Sequence, residues 1–250
     1  MKPKERRKWI EKKLIEDKRV KIDTLVSELN ISSMTVRRDL DQLEKEGKAI
    51  RTHGGATLAN PLIVETPFTS KKSKRIEQKK YIAKNAVKFV KDHQTILLDS
   101  GTTTLEIARL LRGRKNLTVV TNDIYIAAEL IDSPLKVILA GGALQRKVGA
   151  LSGPQANYFF ENIYVDILFL GTPAIDVKFG VTSPSLDKSL TKRLMIKSAE
   201  KTWLVADSSK IGKKSFSKVC DLDALNGFIT DAQITKEAVS ELTDYIEIIN

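Results

Sequence analysis

Residues 32–46 read SSMTVRRDLDQLEKE, and this stretch decides the fold of the N-terminal part of the chain. At about 100° per residue around a helix axis, Leu40 and Leu43 lie within about 40° of Val36 and form an apolar stripe. Arg38 lies at about 200° from Val36, opposite that stripe. One face of the helix can therefore pack on a small core while the other presents a guanidinium, which can pair with guanine or clamp a phosphate.

Two shorter helical patterns precede this stretch, over residues 5–17 and 22–29. Asn30 can end the second helix in the left-handed conformation, and Ser32 or Ser33 can cap the basic helix that follows. A helix, a tight turn and a basic helix predict a helix-turn-helix.

The next residues, 48–56, read KAIRTHGGA and predict a strand followed by a turn that Gly54 and Gly55 make easy. We interpret them as a wing, with Arg51 and His53 near the backbone of a DNA duplex. Taken alone, the basic helix has an alternative interpretation as an exposed helix with two solvated arginines, since charge on a helix surface is ordinary. The adjoining helix, turn and wing favour DNA binding.

The 250-residue chain has a formal net charge of +11, which is unevenly distributed. Residues 1–57 hold 15 Lys and Arg against 10 Asp and Glu, residues 58–75 hold 4 against 1, and the remaining 175 residues hold 23 against 20. This N-terminal basic excess suits a polyanionic partner bound through phosphate contacts. Cys220 is the single cysteine, so no internal disulfide can form and a reducing compartment is expected.

Neither a signal peptide nor a membrane span is expected. The basic N-terminus lacks the apolar core of a signal peptide, and no apolar run approaches the roughly 18 residues of a spanning helix. We predict a cytoplasmic protein that does not contact a membrane.

Residues 58–75 contain two prolines and the basic run KKSKR at 71–75, and they interrupt both helical and strand periodicity. We interpret them as a linker between a domain at 1–57 and a domain at 76–250. The basic run either contacts DNA phosphates or is simply solvated.

From Ile76 onward helices alternate with short apolar strands, a pattern typical of a parallel sheet with crossover helices. The predicted helices cover residues 76–91 and 105–111, and the predicted strands cover 95–99, 117–121, 136–140, 166–171, 202–206 and 227–230. The predicted fold is a small α+β winged helix-turn-helix domain followed by an α/β domain with a mostly parallel sheet.

Polar residues and glycines follow these strands at their carboxyl ends, where ligands bind in such sheets. Residues 99–104 read DSGTTT and open a helix, so free backbone N–H groups and threonine hydroxyls can face an anion there. Further candidates at the ends of later strands are Thr121, Asn122, Gly141, Gly142, Asp207 and Lys210. Carboxylate and amide groups suit sugar hydroxyls, and Lys210 suits a phosphate.

Each of these features also has a purely structural interpretation. The Gly-Thr turn and Asn122 can merely cap helices, the paired glycines can only turn the chain, and Lys210 can be a solvated lysine. Their shared location favours a binding site. The chain lacks GK[ST] and a G-x-G-x-x-G after a strand, which disfavours a nucleoside triphosphate or a dinucleotide. We expect neither a cofactor nor a metal.

Several motifs resemble those of the DeoR family of bacterial transcription regulators. They are SSMTVRRDL at 32–40, RTHGGA at 51–56, DSGTTT at 99–104, TN at 121–122, AGG at 140–142, KR at 192–193 and ADSSKIG at 206–212. The resemblance covers nearly the whole chain. It implies a transcriptional regulator, here a repressor of an operon for sugar uptake or catabolism.

The resemblance also implies that the α/β domain is a sensor domain similar to ribose-5-phosphate isomerase, which binds a phosphorylated sugar or related metabolite that changes DNA affinity. The implied effector-binding residues are Asp99, Ser100, Gly101, Thr102, Thr103, Thr104, Thr121, Asn122, Gly141, Gly142, Asp207 and Lys210, with the phosphate on residues 101–104. Lys188 and Ser208 stand where the family often has a glutamate and a histidine. The identity of the sugar therefore stays open.

On the DNA side, Arg38 and Thr35 are predicted to read bases from the major groove. The residues predicted to hold phosphates are Ser33, Arg37, Arg51 and His53. One winged domain buries too little surface for tight specific binding to a double-stranded operator, so we expect a homo-oligomer, a dimer or tetramer. The effector must bind one state of that oligomer better than the other.

An alternative function is that of a sugar-phosphate isomerase fused to a DNA-binding domain. Such an enzyme needs a positioned base, for which Asp99 and Asp207 are candidates. The two histidines, His53 in the wing and His93 before a strand, do not suit that role. An activator of the same architecture and a winged-helix protein that binds only another protein are further alternatives. The motifs favour a DNA-binding regulator that is not an enzyme.

Overall fold

The computed structural model describes residues 1–60 and 62–250 of the chain. These residues form two compact units, Met1–Ser70 and Lys71–Asn250. The division between them falls inside the segment 58–75, which the sequence predicts as a linker.

The linker segment is more structured than its composition suggests. Strand pairing in the first unit continues to Leu58, and a short helix, α4 (Phe68–Lys72), spans the division between the units. Pro61, one of the two prolines of the segment, lies outside the described residues.

The first unit combines three helices with a small antiparallel sheet. Its elements are α1 (Pro3–Asp17), β1 (Arg19–Lys21), α2 (Ile22–Leu29), α3 (Ser33–Lys45), β2 (Ala49–Thr52) and β3 (Gly55–Leu58). The strand order is β1-β3-β2, and His53 and Gly54 form the two-residue turn between β2 and β3. The predicted winged helix-turn-helix is confirmed. The sequence pattern does not reveal β1, because three residues are too few to show strand alternation.

The turn between α2 and α3 forms as the sequence predicts. Asn30 adopts the left-handed conformation, with a φ angle of 50°. Ser32 caps α3, because its side-chain oxygen accepts a hydrogen bond of 3.3 Å from the backbone N–H of Thr35. The buried core of this unit consists of Ile10, Leu14, Val20, Ile22, Leu25, Val36, Leu40, Leu43, Ala49 and Ala56.

Gly55, the second glycine of the wing, is required by close packing. Its φ angle is not unusual. A Cβ atom at Gly55 would lie 1.9 Å from the backbone oxygen of Val20, whereas a Cβ atom at Gly54 would have no heavy atom within 4 Å. Strand β3 therefore approaches β1 more closely than a side chain at residue 55 permits.

The second unit is an α/β domain. Its helices are α5 (Ile76–Ala86), α6 (Thr102–Leu111), α7 (Ile124–Leu130), α8 (Pro154–Glu161), α9 (Leu186–Lys197) and α10 (Lys236–Thr243). Its strands are β4 (Thr95–Leu98), β5 (Thr118–Thr121), β6 (Lys136–Leu139), β7 (Ala143–Gln145), β8 (Ala150–Ser152), β9 (Val165–Gly171), β10 (Ala174–Asp176), β11 (Gly180–Ser183), β12 (Ala199–Val205), β13 (Ser217–Cys220), β14 (Gly227–Ile229) and β15 (Ile248–Ile249).

Seven of these strands form one sheet in the order β15-β14-β12-β9-β4-β5-β6, and every neighbouring pair is parallel. The predicted α/β fold with a mostly parallel sheet is confirmed. Ile96, Leu97 and Leu98 of the central strand β4 are all fully buried. Their burial explains why this strand is a continuous apolar run, since helices cover both faces of such sheets.

Several features of this unit differ from the sequence prediction, which did not include helices α7 to α10 or the edge strand β15. The helix predicted over 76–91 ends at Ala86 and continues only as a 3-10 turn, Val87–Phe89. Two antiparallel pieces, the sheet β10-β11-β13 and the hairpin β7-β8, are additional. Their strands of three or four residues are too short to show a clear period.

Within residues 1–60 and 62–250, no helix is long and apolar enough to cross a membrane. The same residues contain no group of three or more His, Cys, Asp or Glu side chains that could hold a metal ion.

Candidate DNA-binding and effector sites

Helix α3 presents a basic face to solvent. Arg37 and Arg38 are exposed, while Val36, Leu40 and Leu43 are buried, as the helical periodicity predicts. The N-terminus of α3 carries no acidic residue in its first turn, so its positive dipole end is not neutralised there. This face can therefore meet a polyanion with both guanidinium groups.

The other two predicted DNA contacts on α3 differ in their availability. Ser33 is exposed. Thr35 is partly buried, and its hydroxyl lies 3.0 Å from the hydroxyl of Ser32 while its backbone N–H is bonded to the same oxygen. Thr35 therefore takes part in capping the helix.

In the wing, Arg51 has internal partners that the sequence does not predict. Its Nε donates to Asp41 at 2.9 Å, and its terminal nitrogen donates to the backbone oxygen of Gly55 at 2.5 Å. These contacts connect the wing to α3, and they leave Arg51 fewer donors for a phosphate than the sequence indicates. His53, at the tip of the turn, is exposed as expected.

A buried carboxylate on α3 was also missed in the sequence. Asp39 is 3% exposed and forms an ion pair with Arg6 of α1, while a terminal nitrogen of Arg7 lies 3.6 Å from its other oxygen. The pairing holds α1 against α3. A charged residue on the flank of an apolar stripe gives no sign in the sequence of a partner 33 residues away.

In the second unit, the predicted effector residues follow neighbouring strands at the carboxyl edge of the parallel sheet. Asp207 follows β12, Asp99 follows β4, Asn122 follows β5, and Gly141 follows β6. Strand β9, which lies between β12 and β4, ends at Gly171, a residue that the sequence interpretation did not include. Strands lie about 4.8 Å apart, so these residues form a continuous row.

Asp99 is buried and forms an ion pair with Lys192 of α9. The same carboxylate oxygen accepts a hydrogen bond of 2.9 Å from the backbone N–H of Gly171, and Lys192 also donates to the Gly171 oxygen at 2.8 Å. Lys192 belongs to the KR motif at 192–193, which the sequence interpretation left outside the site. The Asp99 carboxylate is thus a fixed part of the sheet edge.

Beside this pair lies a second buried carboxylate, Asp123. Its side chain accepts hydrogen bonds from the Ser100 hydroxyl at 2.7 Å and from the backbone N–H of Tyr125, also at 2.7 Å. Burial raises the pKa of Asp123 above its ordinary value, and the hydrogen bonds counteract part of that increase. Ser100 is therefore engaged with this carboxylate, and the Thr121 hydroxyl donates to the backbone oxygen of Leu98 at 2.8 Å.

The start of α6 offers fewer free hydroxyls than the sequence indicates. The Thr104 hydroxyl donates to the Gly101 backbone oxygen at 2.9 Å, so it is used within the turn. The hydroxyls of Thr102 and Thr103 make no hydrogen bond within the described parts of the chain, and Thr103 is partly exposed. The usable groups are these two hydroxyls and the unpaired backbone N–H groups of the helix start.

Asn122 has one unsatisfied atom. Its side-chain nitrogen donates to the backbone oxygen of Leu151 at 3.0 Å, while its buried side-chain oxygen has no hydrogen-bond partner among the described residues. A buried acceptor without a donor is unfavourable. This oxygen can therefore accept a hydrogen bond from a ligand hydroxyl.

The paired glycines after β6 have a structural role that their sequence position did not reveal. Both Gly141 and Gly142 are exposed. Gly142 has a φ of 137°, and a Cβ atom there would lie 2.5 Å from the backbone oxygen of Ser152. Gly142 thus allows β7 and β8 to pair closely, which accounts for this glycine without a ligand.

A group of positive charges surrounds Asp207 after β12. The Nε of Arg75 lies 3.6 Å from this buried carboxylate. Lys79 of α5 is 5% exposed, and its ammonium donates to the backbone oxygen of Lys71. Burial lowers the pKa of Lys79 from 10.5 to about 8, although the charge of Asp207 opposes the shift. Burial also lowers the pKa of Lys210.

We name this group the lysine cluster; its cations are Lys71, Arg75, Lys79, Lys210 and Lys213. Asp207 and Glu106 are the nearby carboxylates, and Glu106 is already bonded to Arg109 at 2.5 Å. Lys71 and Arg75 belong to the basic run of the predicted linker, and Arg75 lies within ion-pair distance of Asp207 while its side chain stays 40% exposed. Lys79 belongs to no sequence motif that would have identified it as part of a binding site.

The two departures from the family pattern also have defined positions. Lys188 lies in the first turn of α9, four residues before Lys192. Ser208 donates its backbone N–H to Asp231 at 2.7 Å, and its hydroxyl bonds the same carboxylate at 3.2 Å. Asp231 follows β14, so Ser208 joins the ends of two adjacent strands.

The chain has relatives of known class over almost its full length. It is 37% identical over 242 residues to the HTH-type transcriptional regulator GlpR of Haloferax volcanii, an alignment that covers 97% of this chain and 95% of that protein. It is 34% identical to the putative aga operon transcriptional repressor of Escherichia coli O157:H7, with 95% and 90% covered. It is 32% identical to the lactose phosphotransferase system repressor of Staphylococcus epidermidis, with 92% of each covered.

Solved structures show partial similarity. Ribose 5-phosphate isomerase A from Methanocaldococcus jannaschii matches with a TM-score of 0.39 and 19% identity, covering 53% of each chain. The eIF2B delta subunit from Chaetomium thermophilum matches with a TM-score of 0.47 and 17% identity, covering 62% of this chain and 56% of that one.

Family models match both units. The DeoR-like helix-turn-helix domain matches residues 6–61, and the DeoR C terminal sensor domain matches residues 74–232. These matches agree with the motifs noted in the sequence. The chain belongs to the DeoR family of transcriptional regulators.

Proposed function

We propose that this protein is a repressor of an operon for sugar uptake or catabolism, and that a phosphorylated sugar bound in the second unit modulates its affinity for operator DNA. The observation that carries the proposal is the combination of an exposed Arg37–Arg38 face in the first unit with the lysine cluster in the second. Two relatives support it by their names, which describe repressors of the aga operon and of a lactose phosphotransferase system.

On the DNA side, Arg38 faces away from the core and is proposed to read a base in the major groove. Ser33, Arg37 and His53 are exposed and are proposed to contact phosphates. Arg51 is proposed to act indirectly, by fixing the wing to α3 through Asp41. The proposed partner is a double-stranded operator, and the proposed location is therefore the cytoplasm.

On the effector side, we propose that the phosphate lies between the start of α6 and the lysine cluster. Lys79 lies on α5, which packs against α6, and the charge of Glu106, one turn into α6, acts on it. The free N–H groups of the helix start and the ammonium groups of Lys79 and Lys210 can together bind a dianion. This assignment adds Lys79 to the residues that the sequence implied.

The remaining polar groups of the sheet edge are proposed to bind the sugar. The unsatisfied oxygen of Asn122 suits a hydroxyl donor, and the Asp99 carboxylate can accept another. Gly141 and Gly142 are proposed to contribute only through the backbone. The protein is proposed to act as a homo-oligomer, a dimer or tetramer, since one winged domain covers too few base pairs for tight specific binding.

The test combines two measurements on the full chain. Melting temperature is recorded with a panel of phosphorylated sugars and their unphosphorylated parents, because a ligand present at 100 times its dissociation constant stabilises the folded state by about 2.7 kcal/mol. Any sugar that stabilises the protein is then added to the protein bound to operator DNA. Stabilisation by one phosphorylated sugar together with a change in DNA affinity is expected. Stabilisation without such a change, or conversion of the sugar to its isomer, would contradict the proposal.

A further inference from the structure

The outward face of α3 carries one apolar side chain, in the first turn of the helix. Met34 is 58% exposed, whereas the other apolar side chains of this helix are buried in the core. At about 100° per residue, Arg37, Arg38 and Asp41 all lie within about 60° of Met34. Met34 therefore shares the face with which α3 would enter a DNA groove.

The neighbouring Thr35 is less suited to read a base. Its hydroxyl lies 3.0 Å from that of Ser32, and its backbone N–H is bonded to the same side chain. To contact a base, Thr35 would have to leave the cap of α3. Met34 has no such task, because its side chain extends into solvent one residue earlier.

We propose that Met34 determines part of the operator sequence by contacting the 5-methyl group of a thymine in the major groove. The inference rests on the proposed DNA-binding function. The thymine methyl is the apolar group that the major groove presents, and the first residues of a recognition helix reach base edges. The flexible, polarizable thioether of methionine adapts well to such a contact.

The position of this thymine relative to the base read by Arg38 follows from helix geometry. Met34 and Arg38 are four residues apart, which is about 6 Å along the helix axis at 1.5 Å per residue. Base pairs are stacked about 3.4 Å apart. The thymine is therefore expected within about two base-pair steps of the base that Arg38 contacts.

The experiment begins with selection of the preferred site from random double-stranded DNA by the full-length protein. Each thymine of the selected site is then replaced by uracil, which removes only the methyl group. At one position in each half-site, replacing thymine by uracil should raise the dissociation constant of the unaltered protein about fourfold. This factor corresponds to the loss of one methyl group from an apolar contact, about 0.8 kcal/mol.

The variant Met34→Ala completes a double-mutant cycle. It should bind the thymine and uracil sites with equal affinity, because the methyl has lost its partner. Ile15→Ala is the matched control: Ile15 is 51% exposed on α1, and its replacement should leave the fourfold thymine preference unchanged.

Two results would overturn the role of Met34 while leaving DNA binding established. One is a selected site at which uracil has no effect on the unaltered protein; the other is a uracil effect of the same size in Met34→Ala. Failure of the selection to enrich any sequence would instead contradict the proposed function itself.

Discussion

Replacing Lys192 by methionine should lower the stability of the second unit, because it leaves the Asp99 carboxylate buried without its cation. The side chains of Asp99 and Lys192 are 4% and 10% exposed, so water can replace little of the lost interaction. The backbone N–H of Gly171, 2.9 Å away, remains as a donor to Asp99. The Gly171 oxygen loses the hydrogen bond that Lys192 donates at 2.8 Å.

The expected loss can be estimated from these contacts. Two unit charges about 4 Å apart attract each other by about 4 kcal/mol at an effective dielectric constant of about 20. Removing one partner of a buried ion pair typically costs about 3–5 kcal/mol. Because one N–H donor remains, we expect a loss of about 3–4 kcal/mol, near the lower end of that range. For a domain of this size the melting temperature should fall by about 6–16 °C.

Thermal unfolding of the full chain, followed by circular dichroism, measures this effect. The double variant Asp99→Asn, Lys192→Met should recover at least half of the loss, because neither charge is then buried alone. Lys201→Met, which removes an exposed lysine on β12, is the control and should stay within about 0.5 kcal/mol of the unaltered protein. The reasoning is refuted if Lys192→Met melts like Lys201→Met, or if the double variant is no more stable than the single one.

Three further predictions concern DNA and ligand binding. Arg38→Ala should abolish the preference for operator over random DNA, measured by fluorescence anisotropy, and leave the melting temperature unchanged, since the side chain lies outside the core. Thr103→Val combined with Lys210→Ala should leave operator binding intact and remove the response to the phosphorylated sugar; a normal response would place the anion elsewhere. The affinity for that sugar should fall as pH rises above about 8, because Lys79 in the free protein then loses its proton. Titration calorimetry of Lys79→Met should show weaker binding with a smaller pH dependence; an unchanged pH profile would exclude Lys79 from the site.

The sequence predicted helix α3 and the buried strands of the parallel sheet, but it did not predict helices α7 to α10. Helix α3 could be placed within a residue because its apolar stripe, its cap at Ser32 and the left-handed Asn30 agree with one another. Strands such as β4 were recognisable because burial on both faces makes them uniformly apolar. The short antiparallel strands lacked this information, since three or four residues do not define a period.

The candidate sites were predictable only in part, because a residue's chemistry depends on partners that are distant in sequence. Asp99 could be placed at the end of a strand, but its pairing with Lys192, 93 residues away, requires the folded chain. Arg51 looked available for DNA until the fold brought Asp41 and the Gly55 carbonyl to it. Lys79 resembles any helix-surface lysine in the sequence, and only burial distinguishes it.

The close approach of β3 to β1 makes the two glycines of the wing unequal in their tolerance of substitution. At Gly54 a side chain would extend into open space, so the turn can vary there without disturbing the strands. At Gly55 even a methyl group would collide with the backbone oxygen of Val20, which cannot move away without shifting strand β1. Mutation can therefore introduce a new side chain at residue 54, at the tip of the turn, but not at residue 55, at its base.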